Sequence, residues 1–213
     1  MRAPKTAPSA VSARSKRAAI LASAGTHFGR DGFDATRWSI IADEVGIGPT
    51  ALYHYFESKA HCLLTIMRLQ LERSFAMLQE SSGPETDPLK AVETALRQVY
   101  AVTVDDILRL RVLHNNLTIL SSPRALAREE AERLSARELL RDFETAWTQL
   151  LQRAMNAGEI PTREPQQMAR AVLGLVVSVW SWFNPSGSLS ITEVGEFTTA
   201  CCMRMLGDPP AAN

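Results

Sequence analysis

The 213-residue sequence predicts an all-α protein of about nine helices, in which a small N-terminal domain precedes a larger helical domain. Three observations support this fold class. Apolar residues recur at spacings of three and four along most of the chain, segments with glycine and proline interrupt these patterns, and no period-two alternation is bounded by hairpin signals. Hydrophobic residues make up 46% of the chain, which is enough for a core in each part.

Glycine and helix-capping residues divide the N-terminal part into short helices. The first helix repeats apolar residues up to Phe28 and ends at Gly32. Thr36 is the expected N-cap of the second helix, and Gly46 lies where a C′ glycine ends it. The third helix begins at Pro49, because proline is tolerated in the first turn of a helix, where its missing N–H matters least.

The rest of the chain repeats the helical pattern in longer segments. Ser58 is the expected N-cap of a long fourth helix, and five further helices follow, one of which ends at Gly158. We therefore expect the following organisation: a disordered basic tail (1–13), the small domain (14–58), the larger domain (59–207) and a disordered C-terminal tail (208–213).

The charge of the chain is unevenly distributed, although its net charge is zero. Residues 1–60 contain eight Lys or Arg and five Asp or Glu, which gives this segment a charge of +3, and no acidic residue precedes Asp31. A basic end on a neutral protein indicates a polyanionic partner for that end. A solvated tail is the alternative explanation of this feature taken alone.

The sequence contains no recognisable targeting or membrane segment. Its start lacks the apolar core of a signal peptide, and its longest apolar run, residues 171–183, is shorter than the roughly 20 residues of a membrane span. The three cysteines form neither a disulfide framework nor a C-x-x-C metal site. We therefore expect a cytoplasmic protein with no membrane partner, no metal and no cofactor.

The second and third helices, "RWSIIADEV" and "PTALYHYF", form a helix-turn-helix unit. Leu52 and Phe56 are four residues apart and should face the core, which places Thr50, Tyr53 and His54 on the opposite side. The polar tips of these side chains suit hydrogen bonding in the major groove of DNA.

Lys59 follows at the start of the fourth helix, where a helix N-terminus and a lysine together suit a phosphate. The alternative is a corner between two helices with a surface lysine. That alternative leaves the basic tail and the exposed aromatic residues unexplained.

Residues 15–67, and above all "ATRWSIIADEVGIGPTALYHYFESKAHCL", resemble the DNA-binding domain of the TetR family of bacterial transcriptional repressors. The resemblance implies a homodimer on a palindromic double-stranded DNA operator, with the third helix in the major groove. It also implies that Thr36, Tyr55 and Lys59 contact the DNA backbone. The expected DNA-binding residues are Thr36, Arg37, Thr50, Tyr53, His54, Tyr55 and Lys59.

In the family, the larger domain binds a small molecule and dimerises. Residues 171–183 are apolar on every side, so we expect a helix that is covered by its own core and by a partner copy. A central core helix in a monomer is the alternative. The expected dimer-interface residues are Val176, Val179, Trp182, Phe197 and Cys201.

The segment "LHNNLTIL" places His114, Asn116 and other polar residues among apolar ones, as in a ligand-binding pocket. A solvent-facing side of a helix explains this segment equally well, and the aromatic residues could simply be core. The expected ligand-binding residues are Leu113, Asn116, Leu117, Phe143, Trp147, Val176 and Trp180.

The stretch "WSWFNPSGSLSITEVGEF" resembles a TetR subgroup that is associated with acyl-CoA thioesters. The resemblance implies a small hydrophobic effector, with an acyl-CoA as first candidate. It also implies that an arginine could contact the CoA phosphates. The candidates are Arg109, Arg111, Arg163 and Arg170.

Two other classes of protein compete with a ligand-responsive repressor. An enzyme is disfavoured because the sequence contains none of the phosphate-binding, zinc-hydrolase or nucleophile motifs G-x-x-x-x-G-K, G-x-G-x-x-G, H-E-x-x-H and G-x-S-x-G. A ligand-free architectural DNA-binding protein would have a solid core without a cavity. A variant of the main hypothesis is a thiol sensor at Cys201 and Cys202, which would need an exposed thiolate with a lowered pKa.

Overall fold

The computed structural model describes residues 10–83 and 87–207. Most of the predicted N-terminal tail and all of the predicted C-terminal tail, residues 208–213, lie outside these ranges. The first helix begins at Ala10, so residues 10–13 are helical and the tail predicted to extend to residue 13 is shorter. Alanine, arginine and lysine, which are frequent here, are strong helix formers.

Nine α-helices and one 3₁₀ turn make up the described part of the chain, which contains no strand, as the sequence predicts. In chain order the helices are α1 (Ala10–Asp31), α2 (Trp38–Val45), α3 (Pro49–Tyr55), α4 (Lys59–Ser81), α5 (Pro88–Val99), α6 (Val104–Asn115), α7 (Ala127–Asn156), α8 (Pro165–Trp182) and α9 (Ile191–Gly207). The 3₁₀ turn, Leu117–Ser121, lies between α6 and α7.

The helix ends follow the local sequence signals with one exception. Gly46 has φ 69° and ψ 45°, the left-handed conformation that ends α2, and the Ser58 hydroxyl accepts a hydrogen bond from the His61 N–H at 2.9 Å. The prediction that Thr36 is the N-cap of α2 is wrong, because Arg37 occupies that position. Thr36 is buried instead, and its hydroxyl donates to the Gly32 carbonyl oxygen at 2.8 Å.

Two hydrophobic cores share the long helices. The N-terminal core contains the fully buried side chains of Leu52 and Phe56, as predicted, together with residues of α1, α2 and the first half of α4. The C-terminal core is built from α5 to α9 and includes Leu78 near the end of α4. Helix α4 therefore belongs to both cores, and a movement of this helix in one domain is transmitted to the other.

A second close contact between the two domains lies where α1 crosses α6. A Cβ atom placed on Gly29 would lie 2.6 Å from the carbonyl oxygen of Leu108, which is closer than such atoms approach in proteins. Only glycine fits at this crossing without a shift of the α6 backbone. In the described ranges, no helix is long and apolar enough to cross a membrane.

Candidate DNA-binding and effector-binding sites

The α2–α3 unit presents one polar face outward. Pro49 occupies the first turn of α3, and Leu52 anchors this helix in the N-terminal core. Thr50, Tyr53 and His54 are exposed, and Tyr53 retains 55% of its surface. We call these three residues the reading face. Their orientation follows from helix periodicity, since the opposite side of α3 is committed to the core.

The other predicted DNA-binding residues have different environments. Arg37 is exposed, and Tyr55 is half-buried against the N-terminal core. Thr36 is only 3% exposed, with its hydroxyl bonded to Gly32, so it offers no free hydroxyl to a phosphate. This corrects the prediction for Thr36. Thr36 lies in the turn between α1 and α2, where its hydroxyl bonds to a residue only four positions earlier.

Lys59 is engaged within the chain. Its Nζ donates to the carbonyl oxygens of Phe33 at 2.6 Å and Thr36 at 3.0 Å, and lies 4.3 Å from the centroid of the Phe33 ring. The lysine at the start of α4 thus closes the turn between α1 and α2. An ammonium has three N–H groups, so these two carbonyls leave one for the phosphate contact predicted from the sequence.

The Lys59→Met variant is expected to lower the stability of the protein by about 1–3 kcal/mol, because two hydrogen bonds from a charged donor are lost while the aliphatic stem remains. Thermal denaturation measures this change, with Lys90→Met, at an exposed lysine of α5, as the control. Unchanged stability would contradict the structural role. DNA-binding assays at several salt concentrations would reveal a phosphate contact as well. Its loss would lower the slope of the logarithm of the binding constant against the logarithm of the salt concentration by about one.

A polar cluster that the sequence analysis missed fixes α2 on α1. Glu44 accepts hydrogen bonds from the Ser23 hydroxyl at 2.5 Å and lies 2.8 Å from His27 Nε2. The Ser23 hydrogen bond, followed by that to His27, lowers the pKa of Glu44 below its usual range. Because α2 carries the turn that leads into α3, this cluster positions the reading face.

An apolar cavity of about 110 Å³ lies among α4, α5, α6, α7 and α8. Most of the predicted ligand-binding residues line it. These are Leu113, Leu117, Phe143, Trp147, Val176 and Trp180. Asn116 does not, because it ends α6 and its Nδ2 donates to the Val112 carbonyl oxygen at 2.8 Å. The prediction for Asn116 is therefore wrong.

His114, which the sequence analysis named as a possible pocket residue, lines the cavity, and several polar residues of the wall were not predicted: Gln70, Arg73, Ser74, Gln98 and Asp106. Arg73 Nη1 donates to Asp106 Oδ1 at 2.6 Å. Burial raises the pKa of Asp106, but hydrogen bonds from Thr103 and the charges of Arg73 and Arg109 hold it below its usual value overall. The Thr-x-x-Asp capping box that begins α6 was the available sequence signal.

Among the candidate phosphate-binding arginines, Arg170 is the exposed one that lines a shallow polar groove between α7 and α8. Arg109 pairs with Asp106 at 3.3 Å, and Arg163 donates to the Met205 carbonyl oxygen at 3.1 Å. Arg111 donates to three carbonyl oxygens, of Trp180 at 3.1 Å, Phe183 at 2.6 Å and Gly29 at 3.4 Å.

Arg111 therefore joins α6 to the end of α8 and to α1 of the DNA-binding domain. A second junction lies at the start of α7. The backbone N–H of Glu129 donates to Glu57 Oε1 at 2.8 Å, and the Ser58 hydroxyl donates to the Glu129 carboxylate. Arg124 Nε donates to the same carboxylate at 2.8 Å. The turn that follows α3 is thus fastened to α7.

The predicted dimer-interface residues separate into two groups. Trp182 is 56% exposed and Phe197 is 72% exposed. Leu175 is 40% exposed. We call these three residues the exposed face of α8 and α9. Val176 and Val179 are at most 2% exposed within a single chain, which corrects the prediction that they lie between two chains. The apolar run of α8 turns these valines toward the chain's own core.

Two of the three cysteines, Cys62 and Cys202, are buried. Burial raises the pKa of Cys202 to about 11 and also raises the pKa of Cys62. Cys201 is half-buried on α9. A buried thiol with a raised pKa is a poor nucleophile, so these environments favour a packing role for Cys62 and Cys202.

A helix-turn-helix unit with an exposed reading face, joined by shared helices to an apolar cavity, defines the class of helix-turn-helix DNA-binding regulators. Residues 20–66 match the family model described as bacterial regulatory proteins, tetR family, and residues 85–206 match that of the tetracyclin repressor-like C-terminal domain. The chain belongs to the TetR family of transcriptional regulators. The resemblance found in the sequence is confirmed.

Relatives support the same assignment. HTH-type transcriptional repressor KstR2 of Mycolicibacterium smegmatis is 26% identical over 190 residues, which cover 85% of this chain and 86% of that protein. The structure of ketosteroid transcriptional regulator KstR2 of Mycobacterium tuberculosis has a TM-score of 0.75 at 20% identity, covering 91% of this chain and 96% of that chain.

A further solved structure has the same fold. AibR in complex with isovaleryl coenzyme A and operator DNA has a TM-score of 0.74 at 18% identity, covering 91% of this chain and 99% of that chain. At these identities the solved structures show that the fold is shared.

Proposed function

We propose that this protein is a ligand-responsive repressor that binds a palindromic operator as a homodimer and is released by a largely apolar effector, with an acyl-CoA thioester as first candidate. One observation carries the proposal: a single helix, α4, begins beside the reading face and ends in the wall of the apolar cavity. Leu71 and Leu78 of α4 line this cavity, and Lys59 at its start holds the turn before α2.

The reading face supports the DNA-binding part of the proposal. Tyr53 and His54 are large side chains with hydrogen-bonding tips, and they are exposed although the core lies directly behind them. In the major groove such side chains contact base edges, while Arg37, before α2, and Tyr55, at the end of α3, are candidates for backbone contacts.

The exposed face of α8 and α9 supports a homodimer. Two large aromatic side chains, Trp182 and Phe197, lie mostly in solvent on adjacent helices, which is costly unless a partner covers them. A palindromic operator needs two reading faces about 34 Å apart, and a twofold dimer supplies them.

The cavity supports an effector with an apolar body. A solid core would have favoured the ligand-free architectural alternative, whereas this domain leaves apolar space among five helices. The acyl chain of a thioester fits such space, while its charged nucleotide part would remain outside, where Arg170 is exposed. The AibR structure, which contains isovaleryl coenzyme A and operator DNA, has the same fold.

Three helices connect the cavity with the DNA-binding domain. Besides α4, helix α6 reaches α1 through Arg111, and α7 reaches the turn after α3 through Glu129. A ligand that fits the cavity better in one arrangement of these helices shifts the protein toward that arrangement. A small change in the separation of the two reading faces then removes contacts with one half-site.

An octanoyl-CoA titration tests the proposal, using an operator selected from random-sequence DNA. Octanoyl-CoA is expected to weaken operator binding by about 5–150-fold, and the operator should weaken octanoyl-CoA binding by the same factor, because coupling is reciprocal. Both affinities are measured by fluorescence anisotropy and calorimetry, with free CoA and octanoate as controls. Equal octanoyl-CoA affinity with and without operator would refute the coupling.

A further inference from the structure

Two polar atoms in the wall of the cavity are buried without a hydrogen-bond partner. These are Nε1 of Trp147, on α7, and Nδ1 of His114, on α6. Within the described ranges five side-chain atoms share this condition, and these two belong to residues of the same cavity. A buried polar group without a partner is costly and rare in native proteins, so two of them in one cavity require an explanation.

The wall does not supply the missing partners. Its polar residues, such as Gln70, Ser74 and Gln98, form no hydrogen bond with either atom. Trp147 itself is 1% exposed, so its indole N–H has no access to bulk solvent.

We propose that Trp147 and His114 form a polar site inside the cavity that binds one carbonyl oxygen of an otherwise apolar effector. Indole Nε1 only donates, so the ligand atom must accept a hydrogen bond. A carbonyl oxygen has two lone pairs and can accept from Trp147 and from His114 in its Nδ1–H tautomer. Resting on the proposed function, this oxygen is that of the thioester group of an acyl-CoA.

The site would also give the effector its regulatory effect. One ligand oxygen bonded to both side chains joins α6 to α7 inside the cavity. These helices reach the DNA-binding domain at separate points, α6 through Arg111 and α7 through Glu129. Glu129 and Trp147 are 18 residues apart on one helix, or about 27 Å. A carbonyl-containing ligand thus fixes the relative position of the two helices that hold α1 and the turn after α3.

A matched pair of ligands tests this site. Octanoyl-CoA and S-octyl-CoA differ in the thioester carbonyl, and the protein is expected to bind octanoyl-CoA about tenfold more tightly because S-octyl-CoA leaves both donors unpaired. The Trp147→Phe variant keeps only His114 as a donor, so its preference for octanoyl-CoA should fall to about threefold, while its affinity for S-octyl-CoA stays close to that of the unmodified protein. A full tenfold preference retained in Trp147→Phe would overturn the proposal.

Two further variants complete the comparison. Trp38→Phe removes another buried indole N–H without a partner, which lies on α2 and outside the cavity, and should keep the preference for octanoyl-CoA. His114→Leu removes the other half of the site and should reduce the preference. If Trp147→Phe does not fold, as judged by circular dichroism, the His114→Leu result decides, and an unchanged preference there refutes the site.

Cyclohexanone and cyclohexane test the polar site independently of the proposed acyl-CoA effector. They enter the cavity without a CoA group, and binding is followed by chemical-shift changes at the Trp147 indole N–H. If neither CoA compound binds but cyclohexanone is preferred and shifts this resonance, the acyl-CoA proposal fails and the polar site is retained. If cyclohexane and cyclohexanone bind equally and the indole resonance does not move, the site is refuted.

Discussion

The Phe197→Asp variant is expected to be a folded monomer that binds a full palindromic operator at least about 100-fold more weakly than the unmodified protein. Phe197 is 72% exposed in a single chain, so an aspartate there meets solvent and costs the fold little. In a twofold dimer the same position would bury a carboxylate opposite the partner copy of the exposed face, and removing a charge from water costs several kcal/mol.

Sedimentation velocity and operator binding measure the two effects of this substitution. Val104→Asp, at an exposed valine on α6, serves as the control and should remain dimeric with unchanged affinity. Two results would show that the exposed face of α8 and α9 is not the interface. One is an unmodified protein that is monomeric at micromolar concentration, and the other is a Phe197→Asp protein that remains a dimer.

The Val179→Asp variant is expected to unfold the chain rather than to separate two chains. Val179 is 1% exposed and belongs to the C-terminal core, whose members are apolar side chains. Burying an unpaired charge destabilises a protein by about 3–5 kcal/mol, which is a large part of the 5–15 kcal/mol that typically holds a domain folded.

Soluble yield and denaturant unfolding check this expectation. Ser181→Asp places the same charge two residues along α8 at an exposed position, so it should fold with nearly unchanged stability. A Val179→Asp protein that folds normally but is monomeric would support the sequence-based prediction that Val179 lies in the dimer interface.

The sequence by itself determined the features that depend on residues close together in the chain. The left-handed glycine Gly46 and the capping hydroxyl of Ser58 end and begin helices through bonds to residues within a few positions. The same holds for α3, where Leu52 faces the core and Tyr53 faces solvent because helix periodicity alone separates them. The fold class and the reading face therefore follow from local rules.

The apolar composition of the cavity wall was predictable from the sequence, but which individual residues line the cavity was less so. Phe143, Trp147 and Trp180 were named as ligand-binding candidates, with a plain core role as the alternative, and all three line the cavity. Asn116 and His114 lie two residues apart, but Asn116 ends α6 whereas His114 lines the cavity. The end of α6 decides between them, and helix ends are weakly encoded in sequence.

Only the tertiary structure decided which partners the charged and apolar side chains take. Lys59 and Arg111 donate to backbone carbonyl oxygens of distant segments. Every residue carries a carbonyl, so the sequence does not show which of them a helix end or a crossing leaves unpaired. The two faces of α8 follow the same rule: Val179 and Trp182 are equally suited to burial, and the position of the neighbouring helices decides which one is covered.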